Sequence, residues 1–350
     1  MIGVQILWPL AWFLAALAVF WMVLLIGGRL LRNRSARRHA EASTAVLGIY
    51  MRLMQDDATA LERLEAYRNE PQLLAECLLQ VLDLVRGADR ARMLDQLTRF
   101  GVDDRLGASL GKGSAQARLA VIEALGAFEG EKVEAALRRA LHDEVDGNLR
   151  LAAAGALLGM GAEVDVNQLI ADGLARQEPW SAALAQVLKL DAQRATQRCE
   201  ELLGRAELPD TVRVFAAEAL SGVGDYRVIP ALAAAAHAQS RFVRAAAISA
   251  LGRLMHPAAL PVVREALTDE DWRVRSAAAI AAREAGFVAL IDQLNPLLHD
   301  TVWSVRFQAA EALAAFGPAG VARLREIARG GGGDAAARAA SLTLAERGFA

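Results

Sequence analysis

The chain repeats itself about every 31 residues, and one arginine marks nearly every repeat. From one marker to the next, the steps are 32, 63, 31, 31, 31 and 32 residues. The step of 63 spans two repeats, and Ser181 stands where the middle arginine is missing. The markers are Arg118, Arg150, Arg213, Arg244, Arg275, Arg306 and Arg338. Such a period is typical of repeat proteins, in which each unit packs only against its neighbours.

Each repeat has the pattern of two helices. Around the marker the sequence follows V-R-x-x-A-A-x-A-L-G, so apolar residues recur three, four and seven positions apart, as on one helix face. A glycine near the end of this second helix predicts a left-handed stop, at Gly126, Gly159, Gly222, Gly252, Gly286 and Gly317. Prolines near the start of the shorter first helix suit a first helical turn. We therefore predict an all-α fold, an α-solenoid of about nine two-helix repeats.

An aspartate before the turn, followed by this second-helix pattern, resembles the HEAT repeat. The 31-residue version is similar to the HEAT-like repeats of the phycobilin lyase family. The resemblance covers residues 88–350 and implies a fold, while no catalytic position carries over with it. Residues 43–87 are predicted to form an irregular helical pair that caps the array.

The N-terminal segment predicts a membrane anchor. Residues 4–28 carry no charge and one polar side chain, Gln5, and 20 apolar residues suffice to cross a bilayer. We therefore predict a transmembrane helix at residues 1–28, followed by a basic juxtamembrane linker at 29–42. Five arginines between positions 29 and 38 place that side in the cytoplasm by the positive-inside rule. The prediction is a single-pass protein of the inner or plasma membrane, with its N-terminus outside and the solenoid in the cytoplasm.

Charge argues against binding to nucleic acid. Outside the five clustered arginines, the chain has 34 basic and 41 acidic residues, a net charge of −7. Phosphate binding requires a surplus of positive charge instead. Two cysteines, Cys77 and Cys199, are too few for a disulfide framework.

The sequence offers no evident catalytic constellation. The related deoxyhypusine hydroxylases build a two-iron site from His-Glu dipeptides, but none of the five histidines here precedes a glutamate. No paired-cysteine or HExxH spacing occurs, so we expect no metal and no other cofactor. A lyase or hydroxylase of the HEAT-like class is the alternative to a non-enzymatic function.

The marker arginines are predicted to be structural. Asp269 and Asp300 precede Arg275 and Arg306 by six residues, so a turn carboxylate can bind the guanidinium of its own or the next repeat. The resulting ladder would set the stacking register. A row of arginines that binds a polyanion is the alternative, which the acidic body disfavours.

Two groups of residues are candidates for binding a partner. Trp272 and Trp303 both lie three residues before a marker, so they form a possible paired anchor, or each covers its own helix pair. Phe307, Glu311 and Glu218 are predicted to line a groove along the second helices, or else to pack between neighbouring helices. The sequence thus favours a membrane-tethered scaffold for a partner protein or an integral membrane complex, and it leaves the oligomeric state open.

Overall fold

The computed structural model describes residues 21–22, 38–55, 57, 59–330 and 334–349. Within these residues the regular structure is helical, with twenty α-helices of four residues or more, short 3-10 helices and no β-strand. The predicted all-α fold is therefore confirmed for this part of the chain. The chain divides into two compact units, Met1–Glu144 and Val145–Ala350.

The first unit has its core where α3 packs against α6. Pro71 occupies the first turn of α3, and the buried face of this helix includes Leu74 and Leu78. Tyr50 is fully buried beside it and donates its hydroxyl to the carbonyl of Leu74 at 3.1 Å. The helices of this unit are α1 (38–53), α2 (Thr59–Leu64), α3 (Pro71–Leu82), α4 (Gly87–Arg99), α5 (Val102–Ser109), α6 (Ala115–Leu125) and α7 (Glu131–Asp143).

The second unit continues as alternating second and first helices. Its helices are α8 (Gly147–Met160), α9 (Val166–Ala175), α10 (Ala182–Ala192), α11 (Thr196–Gly204), α12 (Asp210–Ser221), α13 (Ile229–Ala235), α14 (Arg241–Leu254), α15 (Leu260–Ala266), α16 (Trp272–Glu284), α17 (Ile291–Leu294), α18 (Trp303–Ala315), α19 (Gly317–Gly330) and α20 (Ala335–Glu346). The even-numbered helices are the second helices, and all of them except α10 carry a marker arginine. Each packs against the next even-numbered helix, from α8 through α20.

Small side chains allow close packing of these second helices. Five of the seven buried residues of α16 are alanine, and the buried residues of α14 include Ala247, Ala250 and Gly252. At Gly252 a methyl group would lie 2.5 Å from the Cα of Ala281, so only glycine fits where these two helices cross. Helix starts are fixed by side chains as well, since Asp146 and Asp271 accept the amides of Asn148 and Arg273.

The glycine prediction is only partly right. Gly286 and Gly317 adopt the left-handed conformation after their helices, with φ of 67° and 70°. Gly126 and Gly222 end their helices in the right-handed region instead. Gly159 and Gly252 lie inside α8 and α14, because these helices run on for one and two more residues. A glycine near a helix end can therefore serve packing rather than termination.

The predicted transmembrane helix, 1–28, lies outside the described residues except for Trp21 and Met22, which are helical. Among the described residues, no helix has both the length and the apolarity needed to cross a bilayer. Of the predicted linker at 29–42, residues 38–42 belong to α1, and the others lie outside the described residues.

Candidate protein-binding surface

Two marker arginines in the second unit form identical rungs between repeats. Arg244 binds both carboxylate oxygens of Asp269 at 2.9 Å through Nε and Nη2. Arg275 binds both oxygens of Asp300 in the same way, at 2.7 and 3.1 Å. The Nη1 group of Arg275 also donates to the carbonyls of Asp269 and Glu270, in its own turn. Each guanidinium therefore joins the turn of its own repeat to the turn of the next.

The other markers follow this arrangement to different degrees. Arg150 binds Glu178 at 2.5 Å, and in the first unit Arg118 binds Glu144 at 2.6 Å. Arg213 donates to the backbone carbonyl of Leu203, since no acidic residue stands in the following turn. Among the described residues, Arg306 donates to two carbonyls of its own turn. These contacts agree with a structural role for the markers, which stays a prediction until stability is measured.

The rungs also set the charge state of their carboxyl groups. Burial alone would raise the pKa of Asp269 and Asp300. Hydrogen bonds from the arginine and from a turn amide outweigh burial, so the pKa of each carboxyl lies below its ordinary value. Both carboxyl groups are therefore ionised at neutral pH. Each carboxylate neutralises the charge of its arginine, so neither of these two guanidinium groups is left free to bind a polyanion.

Aromatic and arginine side chains, some exposed and some half-buried, lie near the first turns of α14, α16 and α18. We call Phe242, Trp272, Arg273, Trp303 and Phe307 the aromatic edge. The guanidinium of Arg273 lies 4.6 Å from the ring centre of Trp272 and 5.7 Å from that of Phe242. Arg241 covers the same Phe242 ring at 5.0 Å. These planar groups link neighbouring repeats at the turn between first and second helices.

The far part of the aromatic edge is the most open. The ring of Trp303 is stacked on that of Phe307, with centres 5.2 Å apart and planes inclined by 13°. Trp303 is 60% exposed and Phe242 47% exposed, whereas Trp272 and Phe307 are half-buried. A surface depression of about 540 Å³ adjoins Phe242. Large exposed aromatic side chains of this kind are the residues that most often dominate protein interfaces.

Trp272 and Trp303 both belong to the aromatic edge, and each has its own ring contact: Arg273 lies over the Trp272 ring, and Phe307 is stacked on the Trp303 ring. Their role as a paired anchor for a partner stays a prediction. Sequence reasoning missed Phe242 and Arg241. Their signal was positional, since Arg241 lies three residues before its marker, as both tryptophans do.

The predicted groove along the second helices is wrong at Glu311. This side chain is buried and binds Arg347, beyond the end of α20, at 2.5 Å, with Arg283 at 3.9 Å on its other side. The last helix covers a position that is exposed in an earlier repeat, where Glu218 faces solvent. Glu311 is therefore part of the packing of the final repeats, and it is not available to a partner.

The titratable groups show no assembled reaction centre in the described residues. No three His, Cys, Asp or Glu side chains there lie close enough together to hold a metal ion. Cys77 and Cys199 are buried free thiols, and burial raises the pKa of Cys199 to about 12. Such a thiol is protonated at neutral pH and unreactive.

Comparison with solved structures returns similarities at low sequence identity. Kap121p is 12% identical over 86% of this chain, with a TM-score of 0.43, and Kap121p bound to Nup53p is 13% identical with a TM-score of 0.44. The chain spans only 41% of the length of Kap121p. Human deoxyhypusine hydroxylase is 21% identical over 73% of this chain and 99% of its own, with a TM-score of 0.32.

No curated protein matches the sequence. The family model for HEAT repeats matches twice, at residues 199–283 and 263–345. These matches cover the helices α12 to α18, which carry both the Arg–Asp rungs and the aromatic edge. Residues 199–345 are therefore HEAT repeats, as the marker pattern predicted.

Proposed function

We propose that this protein is a non-enzymatic scaffold, tethered to a membrane, that binds a protein partner through the aromatic edge. The observation that carries the proposal is the stacked pair of Trp303 and Phe307, whose indole is more than half exposed at a repeat turn. An exposed tryptophan held in one orientation by a neighbouring ring is pre-organised for binding, because little side-chain freedom remains to be lost.

The arrangement also favours a partner that presents both an apolar side chain and a hydrogen-bond acceptor. Trp303 offers apolar area, while Arg241 and Arg273 lie within 3.7 and 3.4 Å of the same carboxylate, Asp271. Two cations share one anion there, so a further hydrogen-bond acceptor on the partner would find donors beside the rings. A protein segment with an apolar side chain and a nearby carboxylate or carbonyl fits this combination.

The membrane part of the proposal is supported by sequence alone. Residues 4–28 are uncharged, and five arginines follow them between positions 29 and 38. In this arrangement the repeats lie in the cytoplasm, beneath the inner or plasma membrane. The partner is then either a cytoplasmic protein or the cytoplasmic part of an integral membrane complex.

The test replaces Trp303 by a photo-crosslinking amino acid in the full-length chain, in intact membranes. We expect one prominent crosslinked protein, and the same protein should be crosslinked from Phe242. A matched control places the crosslinker at Arg264, an exposed position on a first helix. Trp303→Ala should then weaken binding of the identified partner at least tenfold, because hot-spot tryptophans contribute about 2 kcal/mol or more.

The melting temperature separates binding from folding. Because Trp303 is largely exposed, Trp303→Ala should change the melting temperature by less than about 2 °C. The proposal fails if Trp303 and Arg264 crosslink the same proteins equally. It also fails if Trp303→Ala leaves the affinity for the partner unchanged.

A further inference from the structure

The ladder of Arg–Asp rungs lacks its carboxylate at Arg306. In the two complete rungs the aspartates, Asp269 and Asp300, each stand six residues before a marker arginine of the following repeat. The residue six positions before the last marker is Gly332. The repeat that follows Arg306 therefore has glycine where the two earlier repeats have the aspartate of a rung.

Arg306 nevertheless binds its own turn as a rung arginine does. Its Nη1 group donates to the carbonyls of Asp300 and Thr301, six and five residues before it, at 2.7 and 3.0 Å. Arg275 donates through Nη1 to the carbonyls at the same two positions of its own turn. The other donors of Arg275, Nε and Nη2, bind the carboxylate of the next repeat. The same two donors of Arg306 are therefore the ones that a carboxylate would bind.

These two donors have no partner in the described part of the chain. Nε is buried without a hydrogen bond, at a cost in free energy that a bound acceptor would recover. Nη2 makes no hydrogen bond to a described residue either, but it is not shielded from solvent as Nε is. A carboxylate that arrives from solvent can therefore reach Nη2 first. Arg118 also has a buried, unbonded Nε, yet its charge is balanced by Glu144 at 2.6 Å.

The neighbouring carboxylates are bound elsewhere. Both oxygens of Asp300 accept from Arg275, at 2.7 and 3.1 Å. Asp334 caps the start of α20 and lies 4.0 Å from His299. Among the described residues, no carboxylate forms an ion pair with Arg306. Its positive charge thus remains without the direct neutralisation that the two complete rungs provide.

This guanidinium belongs to the same helical turn as the open part of the aromatic edge. Trp303 is three residues before Arg306 on α18, and Phe307 directly follows it. Residues three apart are neighbours on the surface of a helix. A partner that contacts the exposed indole of Trp303 therefore meets an unneutralised cation beside it.

We propose that Arg306 binds a carboxylate of the partner protein, an aspartate or glutamate side chain that completes the ladder from outside. An apolar residue next to this acid would pack on Trp303. The group expected is a carboxylate, because the chain itself places one on the same two donors in both complete rungs. The proposal rests on the scaffold function proposed above and names the chemistry of the partner at that surface.

The probes are peptides selected by phage display on the full-length protein in lipid nanodiscs, after removal of peptides that also bind Arg306→Gln. We expect the selected sequences to share an aspartate or glutamate close to an apolar residue. Replacing that acid by its amide in a synthetic peptide should weaken binding about tenfold or more. Arg306→Lys, which keeps the charge but loses the planar fork, should also weaken binding. Arg264→Gln is the matched control, since it removes the same charge from an exposed position on a first helix and should leave the affinity unchanged.

A double-mutant cycle separates a direct contact from a loss of folding. The change from acid to amide in the peptide should cost about tenfold on the wild type and almost nothing on Arg306→Gln, because the contact is already absent there. The peptide change cannot alter the fold of the protein. It therefore tests the proposal even if Arg306→Gln lowers the melting temperature.

Three results would overturn the proposal. The first is a selection that returns no peptide dependent on Arg306, and the second is a set of selected peptides without a common acidic residue. The third is an equal loss from the amide change on the wild type and on Arg306→Gln.

Trp303→Ala tests the proposed function separately. If this variant loses the crosslinked partner while the carboxylate proves dispensable, the aromatic edge stands and the Arg306 site fails. If the peptides require both their carboxylate and Arg306 but bind Trp303→Ala as they bind the wild type, the Arg306 site stands and the aromatic edge fails.

Discussion

At the scale of single residues, the marker arginines are consistent with a structural role between neighbouring repeats. Each bidentate contact uses two N–H groups of the planar guanidinium, which only arginine offers. In the rung formed by Arg275 and Asp300, the carboxylate is almost fully buried and also accepts the amide of Val302. The guanidinium satisfies two backbone carbonyls as well. A lysine in its place would keep the charge but lose most of these bonds.

Arg275→Ala should therefore lower the free energy of unfolding by about 2–3 kcal/mol, because it leaves a buried carboxylate without its cation. Chemical denaturation measures this change. Arg306→Ala is the control, since the hydrogen bonds of Arg306 to described residues go to two carbonyls of its own turn, and it should cost less. Equal losses from the two variants would contradict a role for the inter-repeat rung.

The same rung predicts a dependence on pH. The pKa of Asp300 is lowered in the folded state, so its contribution to stability is present above the ordinary aspartate value of 3.8. That contribution is lost as pH falls through the lower, folded-state pKa. The difference in stability between wild type and Arg275→Ala should consequently shrink below pH 3.8. A difference that stays constant in acid would show that the rung is not the cause.

At the scale of helices, a close approach between repeats lies at Gly252, where α14 packs against α16. Gly252→Ala should lower the free energy of unfolding by about 1–3 kcal/mol, because the new methyl group overlaps the Cα of Ala281. Gly159→Ala is a matched control inside α8, where nothing lies within 4 Å, and it should raise stability by up to about 1 kcal/mol. Thermal or chemical denaturation compares the two, and stabilisation by both would disprove the tight crossing.

The helices themselves follow from local sequence, and several side-chain roles do not. Apolar spacing around Arg244 and Arg275 predicts the second helices, because the pattern is complete within one repeat. The burial of Glu311 depends on Arg347, 36 residues away, and the function of Gly252 depends on Ala281 in the next repeat. Equal spacing of the arginines and aspartates predicted the Arg–Asp contacts between repeats, whereas these two contacts follow no repeated spacing and one sequence did not reveal them.

At the scale of the whole molecule, the aromatic edge and the predicted anchor require separate measurements. The aromatic edge belongs to the second unit, Val145–Ala350. The anchor concerns residues 1–28, which belong to the other unit. A variant that loses membrane attachment should thus keep its stability and its affinity for a partner bound at the aromatic edge.

The last prediction concerns topology. Reporter domains fused after Ala350 should be active only when the reporter functions in the cytoplasm, because five arginines after the uncharged span resist translocation. The protein should also stay with the membrane through an alkaline carbonate wash, as an integral protein does.

Replacing Arg29, Arg32, Arg34, Arg37 and Arg38 by asparagine removes the positive charge but keeps the apolar length. In that variant a part of the molecules should invert, so that a periplasm-dependent or lumen-dependent reporter gains activity while carbonate resistance is retained. Extraction of the wild-type protein by carbonate would contradict the span, and activity of the translocated reporter in the wild type would contradict its orientation.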